Sequence, residues 1–188
     1  MAIVGLKDLY FVKLTTDDKD TLTYDGTVTK IAGAINAKIT PAMNTSTLYT
    51  DDGPDETATA LGEIAVELQV KDVPLSVQSV LLGHAIGGTD KILRKKASDD
   101  PPYVAIAFRS LKSNGKYRYI WLYKGKFQLI KENYKTKAEN VEFQTPTINA
   151  TFVKRQNDKA WIAMGDEDAT GWTAAVGTGW FTKPFART

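Results

Sequence analysis

The fold class that the sequence predicts is mainly β: a β-sandwich or β-barrel with one flanking α-helix, a long loop and a C-terminal arm. Three observations favour it. Apolar and polar residues alternate with period two in several segments, an Asn-Gly pair separates two β-rich runs, and a single segment carries helix signals. Half-buried strands have this alternation, because successive side chains point to opposite faces of a sheet.

Three β-type runs occupy the first part of the chain. Leu9–Leu14 is short, Thr27–Thr40 alternates for most of its length, and Leu61–Lys71 alternates again. In the last run, one parity holds Ile64, Val66, Leu68 and Val70, and the other holds Glu63, Glu67 and Lys71. We therefore expect Glu63 and Glu67 to point away from the core.

The segment Pro41–Ala60 is rich in Thr, Asp, Asn and Pro, and is either a long loop or an extended hairpin. A connection of this length inside a compact domain is uncommon and usually functional. Its centre is acidic, with Asp51, Asp52, Asp55 and Glu56 around Gly53-Pro54.

One helix is predicted over Asp72–Gly83. Pro74 suits its first turn, where a missing N–H costs nothing, and Gly83 suits its C-terminal end. Val77, Val80 and Leu81 form its expected apolar stripe. The polar segment Ala85–Pro102 is predicted to be loop.

The run Tyr103–Phe127 predicts a β-hairpin. A two-residue turn at Asn114-Gly115 would pair Ser113 with Lys116 and place Phe108 opposite Trp121. Both faces are then partly apolar, and a sheet that is apolar on both sides needs a second cover. Since the chain has one predicted helix, another subunit is the expected cover.

The predicted domain ends near residue 155. Asn140–Arg155 is a last strand with a bulge or bend at Thr145–Thr147, where the parity of its apolar residues changes. Residues 156–188 form a Gly-rich extension with scattered aromatic residues, starting with a possible short strand at Trp161–Ala163. The extension is a surface decoration, a polymerisation arm or a disordered tail.

The composition of the 188 residues excludes several kinds of site. There is no cysteine, so disulfides, thiolate nucleophiles and sulfur-based zinc sites are impossible, and one histidine cannot build a multi-histidine metal site. The start of the chain lacks a secretory signal, and no apolar run approaches the ~18 residues of a membrane helix. We therefore expect no membrane partner.

The net charge of +2 hides an uneven distribution. Residues 1–100 carry 10 basic and 15 acidic side chains, and residues 101–188 carry 14 basic and 7 acidic ones, so the halves differ in sign. Halves of opposite sign suit head-to-tail contact between copies of the chain, although chance segregation explains them equally well.

No catalytic or cofactor motif is present. His84 lacks a nucleophile elbow to activate, so it is better explained as a cap of the preceding helix. The acidic residues of the loop lack the spacing of an EF-hand, and a solvated turn or a charged inter-subunit contact explains them better than a metal. The sequence therefore predicts no enzyme, no cofactor and no metal.

Five segments together resemble the major tail proteins of long-tailed, non-contractile bacteriophages and prophages of Gram-positive bacteria. They are MAIVGLKDLYFVKL, LYTDDGPDETATALGEIAVELQVKDVP, LLGH, SNGKYRYIWLYKGKF and VEFQTPTINATFVKR, which occur in this order over residues 1–155. The family's proteins are tail-tube subunits, and tube proteins of type VI secretion are similar in fold.

The resemblance implies a structural virion protein that is assembled in the host cytoplasm. Its copies would form stacked, hexameric rings around a lumen through which DNA passes without specific binding. Other tail proteins (tape measure, tail terminator and distal tail protein) would be its further partners. The resemblance also implies inter-subunit or inter-ring contacts by Leu48, Tyr49, Asp51, Asp52, Asp55 and Glu56, and lumen-facing positions for Glu63 and Glu67.

An alternative function comes from the aromatic row on the second half of the hairpin. Tyr119, Trp121 and Tyr123 share one strand face and could stack on sugars in a glycan-binding β-sandwich. A row of this kind is more often a core face, and we favour that interpretation, because Phe108, Ile106 and Val104 are expected to share the face across the hairpin.

Overall fold

The computed structural model of the chain describes residues 2–50, 53–132, 136 and 145–184. It confirms a mainly β fold with a small flanking helix. The strands are β1 (Ile3–Asp17), β2 (Leu22–Tyr24), β3 (Thr29–Ile31), β4 (Ala34–Thr50), β5 (Gly53–Val70), β6 (Ala85–Ile86), β7 (Leu93–Arg94), β8 (Val104–Lys112), β9 (Tyr117–Phe127), β10 (Thr147–Phe152) and β11 (Ile162–Asp166); the helices are α1 (Leu75–Leu82) and α2 (Ala174–Gly179).

Nine of these strands form one antiparallel sheet in the described part of the chain. Its main order is β2-β1-β8-β9-β10-β5-β4, while β3 also pairs with β1 and β11 with β9. The sheet curves around an apolar core that strands along the whole order supply, including Phe11 of β1, Ile106 of β8, Phe152 of β10 and Val66 of β5. The alternation predicted for β5 is confirmed, since Ile64, Val66, Leu68 and Val70 are all buried.

The predicted strand Thr27–Thr40 is in fact two strands that serve different parts of the sheet. Gly33 lies between them with φ of 72°, a conformation that favours glycine. Before it, β3 pairs with β1, and after it, β4 pairs with β5. The bend at Gly33 therefore carries the chain from one side of the sandwich to the other.

Helix α1 covers one end of the core. It begins at Leu75, after Pro74 as the N-cap, so the predicted start at Asp72 is wrong by three residues. It ends at Gly83, whose φ is 72°, as the sequence predicts. Val77 and Leu81 are buried as expected, but the prediction for Val80 is wrong, because its side chain is 42% exposed. Leu82 takes its place in the core.

The β8–β9 hairpin differs from its predicted register by one residue. Its loop has three residues, Ser113 to Gly115, and Lys112 pairs with Lys116 through an N–H···O bond of 2.8 Å. Gly115 takes the left-handed conformation with φ of 79°, as the third residue of such a loop requires. Phe108 therefore lies opposite Ile120 instead of Trp121.

That one-residue shift changes which residues share a face, because side chains alternate along a strand. Ile106, Phe108, Ile120 and Leu122 all belong to the main core. Ala105, Ala107, Tyr119, Trp121 and Tyr123 form the second face. The prediction that both faces are apolar is confirmed, and the predicted grouping of Phe108 with the aromatic row is wrong.

Phe108 gives a direct test of the core. The side chain is 5% exposed and packs in the main core. We expect Phe108→Ala to lower the free energy of unfolding by about 3–5 kcal/mol, because it removes buried surface and leaves a cavity. Chemical denaturation measures the loss, and Leu129→Ala is the matched control, since Leu129 is 68% exposed. Equal stability of the two variants would contradict the assignment of the faces.

Candidate assembly surfaces

The predicted long loop is an extended hairpin made by β4 and β5. The two strands pair from Ala34 opposite Val70 to Thr50 opposite Gly53. At the base, residues 64–69 of β5 also pair with β10. We call residues 43–61 the hairpin tip, because in the described part of the chain no third strand pairs with them.

The hairpin tip makes little contact with the rest of its own chain. Its described side chains are exposed on both faces, apart from the half-buried Thr47, Gly53 and Leu61. Threonine is common in it, and threonine favours extended backbone. A two-stranded ribbon without a third strand or a packed face is only marginally stable in water. The tip thus has the properties of a segment that is completed by a partner.

The residues predicted to contact other subunits lie at the end of this tip. Leu48 and Tyr49 are 56% and 69% exposed, and Asp55 and Glu56 are exposed beside them. Asp51 and Asp52 lie outside the described residues. The tip therefore presents apolar and acidic side chains together.

Glu63 and Glu67 point away from the core, as the alternation predicts. Both side chains are exposed, and the buried Ile64 and Val66 alternate with them along β5. Register places Lys38 of β4 opposite Glu67, so a cation lies beside the second carboxylate. Whether these carboxylates face a lumen stays a prediction.

The second face of the β8–β9 hairpin is covered by the C-terminal part of the same chain. We call Tyr119, Trp121 and Tyr123 the aromatic face; their side chains are all less than 7% exposed. Trp172 stacks on Tyr119 with ring centroids 5.1 Å apart, and the indole N–H of Trp121 donates to the carbonyl of Trp180 at 2.7 Å. The cover expected from another subunit is supplied within the chain.

Strand β11 and an ionic cluster hold this C-terminal segment in place. β11 pairs with residues 118–122 of β9, which extends the short strand predicted at Trp161–Ala163. The Asp166 carboxylate accepts bonds from Arg118 Nε at 2.6 Å and lies 3.2 Å from Lys112 Nζ. The hydrogen bond from Arg118, followed by that from Lys112, lowers the pKa of Asp166 to about 2 despite partial burial.

The start of the extension is fixed by buried polar contacts that sequence reasoning missed. The Arg155 side chain is 1% exposed, with its guanidinium 3.6 Å from the ring centroid of Tyr123 and paired with Asp158. Asp17 accepts bonds from the Lys124 ammonium and from the backbone N–H groups of Gln156 and Asn157. Apart from the neighbouring pair Arg155 and Asp158, these partners are far apart in the chain, so no local pattern indicates them.

His84 is a structural residue by its contacts. It is 4% exposed, and its Nδ1 lies 2.7 Å from Asp99 Oδ2, which also accepts the N–H of Lys96. The nearby Ser79 hydroxyl donates to the carbonyl of His84 instead of to the imidazole. The Ser79 hydroxyl is therefore not bonded to the imidazole of this histidine.

The described residues contain no group of three or more His, Asp or Glu side chains that could hold a metal ion. Neither helix in that part of the chain is long and apolar enough to cross a membrane. No family model matches the chain, and no curated protein matches it.

Gly165 gives a test of how the C-terminal segment docks. A Cβ at Gly165 would overlap Trp172 Cζ3, whereas a Cβ at Gly179 would meet nothing within 4 Å. We expect Gly165→Ala to lower stability by about 1–3 kcal/mol through overpacking. Tryptophan fluorescence should also report a changed environment, because Trp172 must move. Gly179→Ala is the control in the same segment, and an identical effect of both substitutions would contradict the docking.

Proposed function

We propose that this chain is a structural protein whose copies assemble head to tail into a hollow tube, as do the tail-tube subunits that it resembles. The observation that carries the proposal is the hairpin tip, an extended ribbon with exposed apolar and acidic side chains and almost no support from its own chain. A monomer gains nothing from this exposure, whereas a polymer buries it. The mainly β fold and the resemblance over residues 1–155 support the same function.

The tube proposal carries finer expectations from the resemblance. Rings of six copies would stack, with DNA passing through the lumen without specific binding, and the protein would reside in the virion tail. Tape measure, tail terminator and distal tail proteins would be its other partners. The alternative of glycan binding has no observation in its favour, because the aromatic face that it would use is buried.

The hairpin tip provides the first test of assembly. Deletion of Asn44–Thr57 should leave a folded subunit that no longer forms long tubes, because the removed residues contribute almost nothing to the core. Circular dichroism and thermal melting measure folding, and negative-stain electron microscopy across a concentration series measures assembly. Loss of the fold, or tubes of unchanged length, would contradict the proposal.

A second test replaces two exposed apolar residues of the hairpin tip by serine and compares the result with the same change elsewhere. Leu48→Ser combined with Tyr49→Ser should reduce assembly, while Ile92→Ser combined with Leu129→Ser should not. All four residues are exposed and apolar, and only the first two lie in the hairpin tip.

The expected lumen position of Glu63 and Glu67 has its own test. Like charge repels the phosphate backbone, so acidic walls keep DNA from adhering to a channel. Tubes made from the Glu63→Lys, Glu67→Lys double variant should retain DNA in a salt-dependent manner, while wild-type tubes should not. Asp20→Lys combined with Asp25→Lys is the control, since both residues are exposed acids outside this strand. Equal DNA binding by both double variants would contradict the predicted lumen position of Glu63 and Glu67.

A further inference from the structure

A gap lies between residues 3–6 of β1 and residues 35–41 of β4, and we call it the seam. Beyond the bend at Gly33, β4 pairs with β5 on one edge, and its other edge has no partner strand among the described residues. Residues 3–7 of β1 pair with β8 on one edge, and β3 reaches only Leu9–Phe11 on the other. Two unpaired strand edges therefore face the same gap.

The seam is a groove of about 580 Å³ with mostly apolar walls. Ile3 and Val4 of β1, Ile35 of β4 and Met164 of β11 line it and are each between 49% and 67% exposed. Phe108 and Ile120 form its floor, which is the inner face of the β8–β9 hairpin. Exposed apolar side chains grouped between free strand edges are typical of a surface that receives a partner.

We propose that this seam is the acceptor for the hairpin tip of a second copy of the chain. The inference rests on the proposed function and names the surface that the tip engages. Within its own chain the tip does not fill the seam, since Leu48 and Tyr49 stay largely exposed. The tip brings free strand edges that can pair with the unpaired edges of the seam, and apolar side chains that can cover its apolar walls.

Charge does not oppose this pairing. Residues 39–70, which include the tip, contain six acidic and no basic side chains, whereas residues 101–131, which supply the seam floor, contain seven basic and no acidic ones. Six of these seven cations pair with carboxylates of the same chain, including Arg118, which lines the groove and bonds Asp166. The proposal therefore rests on the free strand edges and apolar walls, beside which an acidic tip meets no excess of negative charge.

The proposed contact can repeat from one copy to the next. Each copy offers one tip and one seam at different places on the molecule, so the contact is heterologous. A heterologous contact generates rings or open filaments, depending on the rotation between copies. Both outcomes agree with a tube built from rings.

Cysteine cross-linking tests the seam, because the chain has no native cysteine. Leu48→Cys protein is mixed with a differently tagged Val4→Cys protein under mild oxidation, so that a disulfide forms only between copies. The control acceptor is Leu129→Cys, which is equally exposed and lies outside the groove. We expect at least about tenfold more mixed dimer with the seam acceptor, because docking raises the effective concentration of the two thiols.

A second variant tests the seam without cysteine chemistry. Ile35→Glu places a charge on the wall of the groove, and Leu129→Glu places the same charge elsewhere. Only the first should abolish assembly in light scattering and electron microscopy, with unchanged thermal stability for both.

The outcomes distinguish a failure of the seam proposal from a failure of the proposed function. Equal cross-linking to both acceptors, or tubes that form despite Ile35→Glu, would overturn the seam while leaving self-assembly intact. Seam cross-links within closed dimers that never extend would support the seam and overturn the tube. Absence of both cross-links and polymers would overturn both.

Discussion

The structure depends on a β8–β9 hairpin that is apolar on both faces. One face closes the main core with Ile106, Phe108 and Leu122, and the other presents Trp121 and its neighbours. Each face must be removed from water, because burial of large apolar side chains is the main favourable term in folding. The other strands of the curved sheet bury the first face, and the C-terminal segment buries the second. Both parts of the chain are therefore needed for one stable subunit.

The sequence was sufficient for the fold class and for most strands, because those rest on alternation and on glycine or proline at fixed positions. It was insufficient for the β8–β9 register. Asn114-Gly115 suits a two-residue turn, but the same Gly115 also suits the last position of a three-residue loop. Local chemistry does not distinguish these loops. The choice is made by packing, which places Phe108 in the core and Trp121 beneath Trp180.

Some features of the candidate surfaces are indicated by the local sequence, and others depend on contacts between distant parts of the chain. The hairpin tip was recognisable as unusual by its length and acidity, but its exposed strands carry no alternation that could separate a hairpin from a loop. The cover of the aromatic face had only one signal, the tryptophans and phenylalanines after residue 165. Asp17 had none, and neither had the contact of Arg155 with Tyr123, since tertiary structure alone brings these partners together.

Closure of the aromatic face within the chain limits how copies can associate. Since Trp172 and Trp180 already cover it, this apolar surface is not available to a partner unless the C-terminal segment leaves. Within the part of the chain that the structure describes, no strand pairs with the outer edge of β4, the hairpin tip or the seam, and their apolar side chains stay exposed. Unpaired edges of this length favour strand addition between chains unless they are blunted. Association through edges also leaves the main core intact, so a subunit can fold before it assembles.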